Sequence, residues 1–211
     1  MKKSQSLKDP LNIIMAGVGG QGNVMASRVL ANMLALKGYK ITIGETFGMS
    51  QRGGSVMSHI RVSESSTWSP LIPKGKGDIL IALEPVEAIR VMRTYGNPEV
   101  KVLVNTRPIH PVGVIAGELD YPSLERIQRA LNSLTSHVWM LEATEEAMNL
   151  GNPILSNIIM IGAISGLNLL PIGMPEFKAV IRNFFPAKLL ATNQRAFEIG
   201  KEKVLQANAA S

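Results

Sequence analysis

An apolar run that ends in a glycine turn and opens onto a helix-period stretch predicts an α/β fold. Three observations carry the prediction. Residues 11–16 form a short apolar run bounded by turn signals, as a buried strand does. Gly17-Val18-Gly19-Gly20-Gln21-Gly22 follows. Residues 23–37 then leave the turn with Val24, Ser27, Leu30 and Leu34 at helical spacing. The architecture expected is Rossmann-like: a mixed, mostly parallel sheet flanked by helices, with a helical C-terminal extension. Its parts are a flexible N-terminus over 1–10, an α/β domain over 11–150, and C-terminal helices over 151–211 packed on the same domain.

The elements follow in order. Gly38 suits the C-terminal stop of the first helix. Residues 40–44 read as a second strand, β-branched and alternating. The two strands and their helix make a βαβ unit, expected parallel. Residues 45–54 hold three glycines and several polar residues, so a loop is expected. Residues 55–62 alternate as a third strand. About ten residues without a helix are too few for a parallel crossover, so this strand should run antiparallel.

Residues 63–77 are broken by Pro70, Pro73, Gly75 and Gly77. Residues 78–83 form a buried strand, and Glu84-Pro85 starts a helix. Residues 100–104 are the next strand. Residues 107–122, punctuated by proline and glycine, are expected to be extended. Ser123 caps a helix reaching about Leu134, and residues 137–141 make a last short strand. From Glu142 the chain turns helical. Asn152-Pro153 pairs a cap with a first-turn proline. Gly162 and Gly166 suggest close helix contact, and Leu190, Phe197 and Val204 mark a final helix.

Composition excludes several functions. The chain has 211 residues, 45% of them hydrophobic, enough for one sizeable core. Its net charge is +6. Nevertheless no dense basic run stands beyond Lys2-Lys3, and aromatics are sparse, so a nucleic-acid surface is not expected. There are no cysteines, which removes disulfides, thiolate catalysis and cysteine-ligated clusters from this chain. No leader pattern is read at the N-terminus. The longest apolar stretch, 154–170, is interrupted by Asn157, Gly162, Gly166 and Asn168 and falls short of a membrane span. A cytoplasmic location is the expectation.

The glycine turn has two possible uses. Gly17, Gly19 and Gly22 satisfy the dinucleotide-binding spacing, and Glu45 follows the second strand where a ribose-binding acid is wanted. Alternatively, the glycines permit a tight turn and close packing. The second loop, Gly48-Met49-Ser50-Gln51-Arg52-Gly53-Gly54, has no place in an ordinary dinucleotide fold. Arg52 beside Gln51 and two glycines makes a donor-rich tip suited to a phosphate, a carboxylate or a partner's backbone. His59, His110 and His137 lie far apart without metal-ligand spacing, so structural roles are expected. Glu84, Asn105 and Asn157 stand at strand ends or inside apolar runs, where buried polar groups satisfy backbone.

Together, Gly17–Gly22, the run from Gly48 to Val56, Asp78-Ile79-Leu80-Ile81-Ala82-Leu83-Glu84-Pro85 and Val104-Asn105-Thr106 resemble the gamma-type domain of 2-oxoacid:ferredoxin oxidoreductases. The resemblance runs in particular to the branch that takes indolepyruvate and related arylpyruvates. It covers most of residues 11–170 and weakens across the C-terminal helices. It implies oxidative decarboxylation of an arylpyruvate to an aryl-acetyl-CoA, with ferredoxin as acceptor. It implies that thiamine diphosphate and iron–sulfur clusters sit on a large partner subunit and that coenzyme A binds as substrate at the assembled site. This chain alone would hold no cofactor and no metal, and homodimerisation remains open. The residues implied to face cofactor or partner are Gly17, Gly19, Gly20, Gln21, Gly22, Glu45, Ser50, Gln51, Arg52, Gly53, Gly54 and Asn105; no catalytic residue is assigned. Two other readings stay open: a stand-alone dinucleotide-dependent oxidoreductase using Gly17, Gly19, Gly22 and Glu45, and a small-molecule-binding module.

Overall fold

A computed structural model describes residues 7–48 and 54–209. Six strands form one sheet in the order β2-β3-β1-β4-β5-β6. They are β1 (Leu11–Val18), β2 (Lys40–Phe47), β3 (Ser55–Ser63), β4 (Ile79–Ala82), β5 (Lys101–Asn105) and β6 (Val138–Leu141). β1, β4, β5 and β6 run parallel. β3 is antiparallel to both β1 and β2, as its short connection requires.

The first βαβ unit is parallel as expected, and it is split. β1 and β2 share a direction but are not neighbours, because β3 lies between them. Two boundaries also move. β1 continues through Val18, and β2 continues through Phe47, so Glu45 is a strand residue and not the start of a loop. Gly44 sits inside β2 because Pro70 packs 2.9 Å from where its Cβ would be. Residues 107–122 are not wholly extended: α3 (Val112–Ile115) makes one helical turn, begun by Pro111.

The sheet is covered on both faces, and strand alternation sorts its side chains between them. Leu11, Ile13 and Met15 join a core with α1 (Asn23–Leu36), α6 (Ser156–Gly166), α7 (Met174–Ile181) and α8 (Leu190–Ala209). Ile14 and Ala16 face the other core, with α2 (Pro85–Tyr95) and α4 (Leu124–Asn132). α5 (Ala143–Asn149) follows β6 and packs against the start of α6. Every residue of α6 is buried, which explains why its sequence is apolar on all sides. Among the described residues, no helix is long and apolar enough to cross a membrane.

His59 lies in β3 under the 64–77 segment and is fully buried. Its Nδ1 accepts from the Ile72 N–H at 3.4 Å, and its ring meets Tyr95 edge-on at 5.2 Å. Burial pushes the imidazole pKa down. The folded chain therefore resists a proton that the unfolded chain accepts below about pH 6.5. The stabilising effect of neutral His59 is present above that pH and is lost as pH falls towards the depressed folded value. Denaturant unfolding from pH 7.5 to pH 5 should show stability falling, at no more than about 1.4 kcal/mol per pH unit for this one proton. His59→Phe should flatten that slope; an unchanged slope removes His59 from the account.

Candidate functional site

β1 leads to α1 on one face of the sheet and β4 leads to α2 on the other. The crevice beyond the carboxyl ends of β1 and β4 is thus the topological switch point, where open α/β sheets bind ligands. The glycine turn stands on one side of it and Leu83-Glu84 on the other.

Gly20 and Gly22 adopt φ of 106° and 79°, in the left-handed region where glycine is favoured. The space the glycines leave is filled by the chain's own amides. A Cβ at Gly17 would lie 2.6 Å from Gln21 Oε1, and one at Gly22 would lie 2.4 Å from Asn157 Nδ2. Gln21 folds back across the crevice. Its Oε1 accepts from Val18 N–H and its Nε2 donates to Leu83 O, both at 2.8 Å. Asn157, from α6, donates to the Gln21 carbonyl at 3.1 Å. The Gly19 N–H is taken by Gly54 O at 2.9 Å and the Gln21 N–H by Val18 O at 3.2 Å. Three of the N–H groups that a pyrophosphate cradle wants are therefore spent inside the chain.

The other expected site residues fall in three groups. Gly54 joins the turn through Gly19, so the two glycine loops meet. Asn105 is fully buried and shares the Leu83 carbonyl with Gln21, at 3.0 Å. It also donates to Thr144 Oγ1 at 2.9 Å and accepts from Thr144 N–H at 3.2 Å, pinning the start of α5 to the end of β5. Glu45 is not brought to the turn. It sits on the outer strand, two strands or about 10 Å from β1, with Arg28 at 3.4 Å. Ser50, Gln51, Arg52 and Gly53 lie outside the described residues.

Beside the turn lies an open cavity of about 600 Å³, bordered by Gly20, Gln21, Arg107, Ile109, Met148 and Ile154. Its lining combines apolar side chains with the Arg107 guanidinium and the polar Gln21, Thr144, Asn152 and Ser156. Arg107 pairs with Glu145 at 3.3 Å, but both are half exposed, so the pair contributes little to stability.

Sequence reasoning missed a second group on the other side of Ile109. Glu84 accepts from Glu87 N–H at 2.9 Å, from Ile109 N–H at 3.4 Å and from the Tyr121 hydroxyl. Glu87 accepts from Ser55 Oγ at 2.5 Å and pairs with Arg90 at 2.7 Å. Burial pushes the Glu87 carboxyl up, against the opposing pull of Ser55 and Arg90. Burial and the bond to Glu84 also push the Tyr121 hydroxyl up. Glu84-Pro85 was legible as a helix start, but its partners come from three other segments. Among the described residues, no three His, Cys, Asp or Glu side chains could hold a metal ion. With no cysteine in the chain, the residues present do not fit an iron–sulfur cluster.

Residues 12–203 match the family described as pyruvate ferredoxin/flavodoxin oxidoreductase. The indolepyruvate oxidoreductase subunit IorB of Archaeoglobus fulgidus is 36% identical over 195 residues, 92% of this chain and 96% of that one. The subunit IorB of Thermococcus kodakarensis is 38% identical over 190 residues, 90% of this chain and 93% of that one. A solved structure of 2-oxoglutarate:ferredoxin oxidoreductase from Magnetococcus marinus, with 2-oxoglutarate, coenzyme A and succinyl-CoA bound, shares the fold at a TM-score of 0.73 and 20% identity. That likeness covers 94% of this chain and 32% of the longer one. The chain belongs to the pyruvate ferredoxin/flavodoxin oxidoreductase family, alongside the IorB subunits of indolepyruvate oxidoreductases.

Proposed function

We propose that this chain is the non-cluster subunit of a heteromeric, cytoplasmic 2-oxoacid:ferredoxin oxidoreductase acting on indolepyruvate and related arylpyruvates. The assembled enzyme would release the oxoacid carboxyl as carbon dioxide, pass two electrons to ferredoxin and join the acyl carbon to the coenzyme A sulfur. Thiamine diphosphate and the clusters belong to the large partner subunit. This chain completes the active site with the face at the carboxyl end of its sheet. The Gly17–Gly22 turn and Gly54 border coenzyme A or the partner there, and the buried Asn105 holds the neighbouring Leu83 carbonyl in place; the same role for Ser50, Gln51, Arg52 and Gly53 rests on the family resemblance alone. The α/β part, 11–150, presents most of that face, and the helices after it pack on one side of the sheet, with Ile154 at their start bordering the same cavity.

One observation carries this reading over a stand-alone dinucleotide enzyme. The room made by the glycine spacing is occupied by Gln21, and Glu45 lies two strands away. The turn is built as a fixed surface and not as an empty cradle. Its first helix still offers an N-terminus with no side-chain cap and no acidic residue in its first turn, a favourable place for an anionic group of a substrate.

The test is anaerobic co-expression with a candidate large subunit. A stable complex should form, and arylpyruvate-dependent reduction of ferredoxin should require both chains and coenzyme A. A large subunit fully active alone, with no complex formed, would sink the proposal. Tight binding of a nicotinamide or flavin nucleotide by the isolated chain would favour the stand-alone reading instead.

A further inference from the structure

The carboxylates at the start of α2 do more than cap a helix. Capping needs one acceptor, which Glu84 Oε2 supplies to Glu87 N–H. Ser, Thr, Asn or Asp would do this with less buried polar surface. Here two whole carboxylates are buried, with Glu84 2% and Glu87 4% exposed. Burial of a carboxylate is costly unless hydrogen bonds offset it; beyond the cap bond and the Glu87–Arg90 pair within the helix, the bonds that do so reach other segments.

Glu84 Oε1 accepts from Ile109 N–H and from the Tyr121 hydroxyl. Those residues lie near the two ends of the segment between β5 and α4. One oxygen therefore closes that segment in the manner of an Ω-loop. Core packing does not hold its middle: no residue of α3 is buried, and Val112, Ile115 and Leu119 are 81%, 75% and 64% exposed. Glu87 takes hold of Ser55, the first residue of β3, next to the Gly54 carbonyl that binds Gly19. Both held segments border the glycine turn, because Ile109 lines the same cavity as Gly20 and Gln21.

We propose that Glu84 and Glu87 are positioning residues of the assembled enzyme, acting through Tyr121 and Ser55 to fix the two segments that wall the glycine turn and its cavity. This inference rests on the subunit reading above. The two hydroxyls give clean probes. Tyr121→Phe leaves Glu84 its bonds to Glu87 and Ile109, and Ser55→Ala leaves Glu87 its pair with Arg90.

The experiment measures steady-state kinetics of the reconstituted complex with wild-type chain, Tyr121→Phe, Ser55→Ala and Ser55→Thr. For the first two variants, KM for coenzyme A should rise about fivefold or more while kcat stays within about twofold. Ser55→Thr, which restores the hydroxyl, should return KM towards the wild-type value. Wild-type KM in both variants overturns the inference. So does a loss that Ser55→Thr does not reverse, or one that merely tracks reduced melting of the isolated chain. If the wild-type chain itself gives no active complex, the subunit reading falls first, so the two failures are told apart.

Discussion

Gly162→Ala and Gly200→Ala should each destabilise the chain by about 3 kcal/mol or more. The two glycines sit face to face across the α6–α8 crossing. A Cβ at Gly162 would lie 1.9 Å from Phe197 O, and one at Gly200 would lie 1.8 Å from Ile159 O. The obstructing atoms are backbone carbonyls, so no rotamer change can relieve the overlap. The helices must separate. Separation loosens Phe197, which is fully buried and stacked on Phe177 at 4.4 Å between ring centroids. It also opens α6, which has no exposed residue to turn outward. For a chain of this length the midpoint should fall by about 6–12 °C. Gly173→Ala is the control, since its nearest neighbour would stand at 3.6 Å, an ordinary contact. That variant should stay within about 1 kcal/mol of wild type. Thermal and urea unfolding of the isolated chain measure both. A wild-type midpoint for Gly162→Ala would mean that the helices do not cross this closely.

That crossing was partly legible in the sequence, and the reason is physical. Gly162 and Gly166 recur one helical turn apart in an apolar run, and small residues at that spacing let backbones approach. Gly200, which supplies the other half of the contact, stands alone in its helix and gave no signal. The sheet shows the same limit. Loop length fixed β3 as antiparallel, because a short connection cannot make a parallel crossover. Its place between β1 and β2 depends on pairing along whole strands, which no local pattern encodes. Glu45 was misplaced for a related reason. Gly44 reads as a strand end, yet it is glycine because Pro70 needs the space of a side chain, and β2 continues past it because residues 44–47 stay paired with β3. At the candidate site, glycine spacing announced a close approach but not what approaches. The answer, Gln21 from within the turn and Asn157 from α6, depends on contacts spanning up to 136 residues. The acidic pair was hidden likewise, since Ser55, Ile109 and Tyr121 converge on it only in the fold.

Gln21 should carry the largest single-residue effect on activity in the assembled enzyme. Its amide uses an acceptor and a donor at once, towards Val18 N–H and Leu83 O. Gln21→Glu keeps the shape and the first bond but cannot donate. It sets a carboxylate against a carbonyl oxygen, with an expected cost of about 1–3 kcal/mol at this part-buried position. Gln21→Ala removes both bonds and leaves the turn free to shift away from β4. A displacement of about 1 Å in a positioning element can lower turnover about a hundredfold, and ferredoxin reduction by the reconstituted complex should fall on that scale in both variants. Near-wild-type rates in both would place the glycine turn away from the reaction. The alanine variant also tests the rejected reading directly. It removes the side chain that fills the room at Gly17, yet Asn157 still fills the room at Gly22 and β3 still separates β1 from the strand that bears Glu45. Among the described residues, Glu45 then does not stand where a ribose requires an acid. Calorimetric titration of the isolated Gln21→Ala chain should accordingly show no nicotinamide nucleotide binding tighter than about 1 mM, equivalent to about −4 kcal/mol. Micromolar binding would show that Gln21 alone stands between this fold and a dinucleotide site.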